Sequence, residues 1–438
     1  MQMMPAGPDR STLDSVSAAA TVRHGALYDA PAGRQVARSR GAFGTSMFRR
    51  MVLRRLADLS HGLLEIADDA GVARLGTGSD LHARVTVNHP RLWRRLALGG
   101  SQAVWESYLD GDWDASDLTA LVRVFSRNLH NMYAIDAGLG RLIRPASRAA
   151  AWLQRNTRAG SRRNIAAHYD LGNDFFELML DPTMTYSCGV FEHGRATLEE
   201  ASLAKIDRLC RRLQLNSGDY LLEIGTGWGG FALHAARNYG CRVTTTTLSR
   251  QQHALATDRI ARAGLSDRVE VLLTDYRDLT GTYSKLVSVE MIEAVGAEFY
   301  GEFFQVCAAR LAPGGIMALQ AITVADQQFA NTRKDSTDFI KRCVFPGSCI
   351  PSIAALLEAA RDRSDFRLIH LDDLTEHYPR TLAAWRDNLR RHEREVHAMT
   401  TPRFRRMWDL YLSYCEGGFL ERHTGLVHMV FTRPLWSV

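Results

Sequence analysis

The chain is short of lysine. Of its 54 basic residues only four are lysine (205, 285, 334 and 341), so the net charge of +6 is carried by arginine. It has no CxxC and no Cys/His cluster at zinc spacing; seven cysteines lie at wide, irregular intervals, which excludes a disulfide framework or a zinc module and reads as reduced thiols. No apolar run approaches the length of a membrane-spanning helix. The first 45 residues hold no apolar stretch of signal-peptide type, so a cytoplasmic location is expected. At 438 residues and 46% apolar content the chain can bury a large core and holds about two domains.

Residues 1–45 are rich in Ala, Gly, Ser and Arg and read as a disordered tail. A small N-terminal α/β domain is expected over 46–140. It would open on the Arg-studded helix MFRRMVLRRLADL (47–59), either a packed surface helix or one lying at a lipid interface. HARVTVNHP alternates as a strand, and a helix follows a cap at Ser116 or Asp117. Residues 141–163 carry seven arginines and no acid, a basic linker that suits anionic lipid better than nucleic acid, since aromatic–basic interleaving is missing. From 164 to 438 strands alternate with helices, the pattern of a doubly wound parallel sheet. Strands are expected at 220–224, 242–247, 268–273, 285–289, 315–323, 366–371 and 425–431, with a helical insertion near 325–415.

YLLEIGTGWGGF (220–231) is the most informative stretch. Gly225, Gly227 and Gly230 satisfy GxGxxG, but the second strand ends in VTTTTLS with no acid for a dinucleotide ribose, which argues against NAD. The same loop also reads ExGxGxG: Glu223, Gly225, Gly227 and Gly229. That resembles the first loop of S-adenosylmethionine (SAM)-dependent methyltransferases, where glycine lets backbone approach the cofactor. Asp275, after the third strand, stands where an acid can face an adenine amine.

RRNIAAHYDLGNDFFELMLDPTMTYSCGVF (162–191), LEIGTGWGG, TTLSRQQ, VSVEMIEAVG and HYPRTLAAW follow one another in an order that resembles the cyclopropane-fatty-acyl-phospholipid synthases and their mycolic-acid relatives. The resemblance implies a class I SAM-methyltransferase fold acting on cis double bonds of unsaturated acyl chains in a phospholipid bilayer. It implies that Tyr186 and Ser187 contact SAM from a lid, that Thr247, Leu248, Ser249 and Gln252 run along the ribose, and that Asp275 and Tyr276 bracket the adenine. It further implies a bound bicarbonate as base, held by backbone at Cys188, by Glu293, by backbone at Ile322 and by Tyr378. The family's histidine is absent: LHTI is LQAI here, with Gln320 in its place, and EHVG is EAVG. Glutamine can hold an anion but cannot relay a proton. The wording EMIEAVG…LQAIT also resembles a branch that makes mid-chain methylene and methyl-branched acids, which would need a separate reductase.

Other positions are open. Cys415 matches a family cysteine and reads as packing more than as nucleophile. Glu290, read as one helical turn before Glu293, looks structural; His168 looks like a lid or capping residue. Phe175, Phe176, Tyr186, Phe191, Tyr378 and Trp385 are candidates for facing a carbocation. No metal is expected. The expected location is the inner membrane face, peripherally, with a homodimer left open. A small-molecule methyltransferase and a non-catalytic lipid-binding module remain as other classes.

Overall fold

The computed structural model describes residues 42–78, 80–129, 160, 172–334 and 338–435. The tail up to 41, His168 and, apart from Gly160, the basic linker lie outside the described residues.

The N-terminal piece opens on α1 (Ala42–Arg55), which starts inside the expected tail. Val52 and Leu56 of α1 are buried and Arg49 pairs with Asp68 at 2.6 Å, so the helix packs on its own domain. Strands β1 (Leu63–Asp68), β2 (Gly71–Leu75), β3 (His82–Val87) and, after α2 (Arg91–Leu109), β4 (Trp113–Ala115) form a sheet of order β2-β1-β3-β4. Asp117 caps α3 (Leu118–Arg127), its side chain accepting from the Ala120 amide at 2.9 Å.

After α4 (Asn173–Met179) and α5 (Leu198–Arg212), the large sheet is built from β5 (Tyr220–Ile224), β6 (Arg242–Thr246), β7 (Val269–Leu272), β8 (Tyr283–Val289) and β9 (Leu311–Val324). These five are parallel; α6 (Gly230–Tyr239), α7 (Arg250–Arg262) and α8 (Tyr300–Arg310) cross between them. The expected insertion is not continuous. Helices α9 (Asp326–Lys334) and α10 (Ile353–Arg363) are followed by β10 (Arg367–Asp373), and only then by α11 (His377–Arg391), α12 (Glu393–Met399) and α13 (Pro402–Leu420). The last strand, β11 (Thr424–Thr432), slots between β9 and β10, antiparallel to both, giving the order β10-β11-β9-β8-β5-β6-β7.

The two parts share one apolar core. Trp93, Trp113 and Val124 from the N-terminal piece join Phe175, Tyr378, Trp385 and Trp408. Polar links cross the same seam. Arg386, buried, donates to Glu416 at 2.5 Å and to Thr119 at 2.7 Å, and Glu421 binds Arg123 and Arg127 at 2.6 and 2.8 Å. A Cβ on Gly417 would lie 2.6 Å from Val122, so glycine there sets how closely α13 approaches α3.

Candidate active site

The carboxyl ends of β5, β6 and β8 open into a cavity of about 1250 Å³. This is where ligands bind in open α/β sheets. The cavity runs from the glycine loop to an apolar wall that includes Trp93, Trp105, Phe339 and Tyr411. The N-terminal piece thus forms part of the wall.

At the cofactor end, Gly225, Gly227 and Gly229 take φ of +107°, +51° and +84°, the left-handed region that glycine enters freely. A Cβ on Gly227 would meet no protein atom within 4 Å, so the loop presents bare backbone. Arg259 clamps the loop to the lid, donating to the Trp228 carbonyl at 2.7 Å and to those of Thr183 and Pro182 at 3.2 and 3.0 Å. Glu223 is buried, its Oε2 has no hydrogen-bond partner, and burial pushes its carboxyl up to about 8. An unpartnered acceptor beside exposed loop backbone fits a ligand carrying an ammonium group. Thr247, Leu248 and Gln252 line the cavity; Ser249 caps α7 beneath them, and Thr247 Oγ1 donates to Gln252 at 2.8 Å. Tyr276 lines the cavity with a buried, unpartnered hydroxyl. Asp275 is placed differently from the expectation: its carboxylate takes Arg277 Nε at 2.8 Å and Nη2 at 2.7 Å.

On the lid, Tyr186 lines the cavity between Phe176 and Trp385, its hydroxyl 2.9 Å from that of Tyr411. Ser187 accepts from Lys205 at 2.8 Å. Lys205, buried on α5 and facing the cavity, has its ammonium pKa lowered chiefly by burial, against the pull of Glu290 and other acids.

The reacting end centres on a carboxylate that sequence reading had set aside. Glu290 follows β8 with φ +47°, and only Glu293 lies in the short helical turn 292–294, so the two acids do not share a helix. Glu290 Oε1 accepts from the Cys188 amide at 3.0 Å and from Gln320 Nε2 at 2.7 Å; Oε2 accepts from the Tyr378 hydroxyl at 2.6 Å. Burial raises the Glu290 carboxyl pKa against these donors. Glu293 Oε1 accepts from the Ile322 amide at 2.5 Å, while its Oε2 has no partner; burial, then the charge of Glu290, push it up to about 8. Behind Gln320 stands His428, buried and kept neutral by burial, its pKa pushed down to about 3.

Cys188 lies in the site through its amide. Its buried thiol contacts the Gly189 carbonyl and Thr381, and burial drives its pKa well up. Cys415 lines the cavity wall, and burial likewise raises its thiol pKa, so neither sulfur is poised as a thiolate. Of the candidate aromatics, Tyr186, Tyr378 and Trp385 line the cavity. Phe175 and Phe176 are packed behind it, and Phe191 stacks on His377. The signals for the three residues missed were faint: one of only four lysines, a second acid in the apolar stretch SVEMIEAVG, and a histidine in the strand GLVHMVF.

Residues 156–429 match the sequence profile of the family described as mycolic acid cyclopropane synthetase. The chain is 36% identical to the tuberculostearic acid methyltransferase of Mycobacterium tuberculosis over 398 residues, 89% of this chain and 92% of that one. It is 33% identical to the cyclopropane-fatty-acyl-phospholipid synthase of Escherichia coli over 376 residues, 84% and 92% of the two chains. Among solved structures, a cyclopropane synthase from M. tuberculosis superposes with a TM-score of 0.58 at 32% identity, over 62% of this chain and 98% of that one. A mycolic acid cyclopropane synthase complexed with SAH and CTAB also gives 0.58, at 31% identity over the same shares. The chain belongs to the mycolic acid cyclopropane synthetase family and is a SAM-dependent methyltransferase of the cyclopropane synthase type.

Proposed function

We propose that this enzyme adds one carbon to the cis double bond of unsaturated acyl chains in membrane phospholipids and closes a cyclopropane ring. The observation that carries this is the continuity of one cavity from bare glycine-loop backbone, past paired buried carboxylates, into an apolar aromatic wall.

When bound, SAM supplies a methyl group electrophilic enough for an unactivated alkene. The loop 225–229, Glu223, Thr247, Leu248, Gln252 and Tyr276 would hold it, with Tyr186 and Ser187 from the lid. Asp275 would support this end through Arg277. The apolar wall excludes water, which would otherwise capture a cation. Tyr186, Tyr378 and Trp385 present rings to the cavity, each able to steady a cation by about 0.5–2 kcal/mol. A buried carboxylate in its ionised form would then take a proton from the new methyl group.

A second reading is favoured by Gln320 standing at the histidine position. If the proton is removed slowly, a 1,2-hydride shift moves the cation onto the methylated carbon, and loss of a methyl proton then gives an exocyclic methylene for a separate reductase. The 36% identity with the tuberculostearic acid methyltransferase supports this branch.

The enzyme would act peripherally on the cytoplasmic face of the membrane, as a monomer or homodimer. Among the described residues no helix is long and apolar enough to cross a membrane. The test is incubation of the purified protein with SAM and phospholipid vesicles. Oleoyl chains should gain one CH2 in mass and stearoyl chains should not; gain on neither, or on both, would overturn the reading.

A further inference from the structure

Three donors from separate parts of the chain converge on one carboxylate. The Cys188 amide comes from the lid, Gln320 from β9 and the Tyr378 hydroxyl from α11, and all bind Glu290 at 2.6–3.0 Å. The Cys188 amide and Tyr378 are groups that the family resemblance assigns to a bicarbonate, and Gln320 stands where that resemblance puts a histidine. The side chain of Glu290 has taken the place of the anion, so the residues here do not fit a diffusible bicarbonate at that position.

The placement is costly. A non-glycine residue at φ +47° is strained by about 1–2 kcal/mol, and a carboxylate is desolvated as well. Such an arrangement persists where the surroundings hold it, which is typical of a functional site. Glu293, beside it, makes the division of labour legible. Glu290 spreads three donors over both oxygens, which favours its ionised form. Glu293 has one donor and a bare Oε2, which favours its protonated form. Two acids whose surroundings push them apart in this way are the mark of an assigned base and an assigned acid.

We propose that Glu290 is the resident base of this enzyme, replacing a diffusible anion, and that turnover needs no bicarbonate. This rests on the alkene reading above. In the step assigned to Glu290, a C–H bond of the newly added methyl group breaks. Its electron pair closes the third carbon–carbon bond of the ring or, after the hydride shift, forms the exocyclic double bond. The proton passes to a Glu290 oxygen and leaves to water when the product exchanges. Charge balances: the cation is neutralised and one proton is released.

The experiment compares wild type, Glu290→Gln and Glu290→Gly in carbon-dioxide-free buffer, with and without millimolar bicarbonate. Melting temperature and SAM binding are measured alongside to confirm folding. Wild-type turnover should be the same in both buffers. Glu290→Gln should lose about 100-fold or more, the usual weight of a positioned base, with no rescue. Glu290→Gly, which suits φ +47° and reopens the cradle, should lose as much and recover with bicarbonate. Wild type that depends on bicarbonate, or Glu290→Gln active to within a few-fold, would overturn the proposal. A readout independent of turnover is 13C NMR of labelled bicarbonate, whose line should broaden with Glu290→Gly and not with wild type; broadening with wild type would also overturn it. If wild type converts no unsaturated lipid, the alkene reading fails, while the NMR comparison still decides what fills the cradle.

Discussion

Gln320 and His428 stand directly opposite each other on the antiparallel strands β9 and β11, with His428 Nε2 2.7 Å from Gln320 Oε1. Gln320 Nε2 is turned toward Glu290 and the Cys188 carbonyl, so its oxygen faces the ring and His428 carries its proton on Nε2. His428 thereby fixes which way the Gln320 amide points, and the amide fixes Glu290.

Replacing His428 by Leu should therefore act at a distance. The buried Gln320 oxygen loses its donor, costing about 1–3 kcal/mol of stability. The amide can then rotate its oxygen toward Glu290, repelling the carboxylate. Turnover should fall at least about tenfold with SAM affinity unchanged, since acid–base placement contributes that much or more. Steady-state kinetics with calorimetric SAM titration checks this, and unchanged kcat would contradict it.

The glycine loop separates binding from folding. The Cβ of Gly227→Asp meets no protein atom and its φ of +51° costs only about 1–2 kcal/mol, so the fold should hold while SAM binding is lost. Gly230→Ala would place its Cβ 2.6 Å from the Thr183 carbonyl and should loosen the lid, lowering stability by about 1–3 kcal/mol. Calorimetry and thermal melts of both variants distinguish the two effects.

Stability of the ligand-free protein should fall with rising pH between about 4.5 and 8 through Glu223 and Glu293. Both carboxyls are raised by burial, so in that window the folded state holds protons that the unfolded state has released. More protons on the folded side means a negative slope of stability with pH. Urea unfolding across the range should show a flatter slope for Glu223→Gln and for Glu293→Gln; slopes parallel to wild type would contradict the assignment.

The seam between the two parts is tested by Arg386→Met. Removing this buried guanidinium takes the opposite charge away from Glu416 and Asp409, both buried, while the Thr119 and Tyr108 hydroxyls still donate to them. The loss should be about 3–5 kcal/mol, the usual cost of breaking one side of a buried pair. A denaturant melt that shifts by less than about 1 kcal/mol would mean the N-terminal piece is not held there.

All seven strands of the large sheet were legible, because each is an apolar or alternating run closed by turn residues. The position of β11 between β9 and β10 was not, since pairing order depends on contacts far apart in sequence. β1 and β2 were missed because LLEIADDAGVARL is short, and β2 is mostly exposed. The glycine loop, the lid tyrosine and Glu293 could be read from local wording. Glu290 could not: its spacing from Glu293 mimics a helical face, and only the backbone turn at φ +47° sends its carboxylate into the donors of Cys188, Gln320 and Tyr378. Asp275 was expected to face the adenine amine; nothing in TDYRDL shows that Arg277 folds back on its carboxylate.

The most direct test follows a 13C-labelled methyl group from SAM into vesicles of an oleoyl phospholipid by NMR. The account predicts that the label appears in the acyl chain as a CH2 at the former double bond, in a ring if proton removal is fast and as an exocyclic methylene if the hydride shift wins. Label that stays in SAM, or that appears on a headgroup or another heteroatom, would contradict the assignment of this cavity to alkene chemistry.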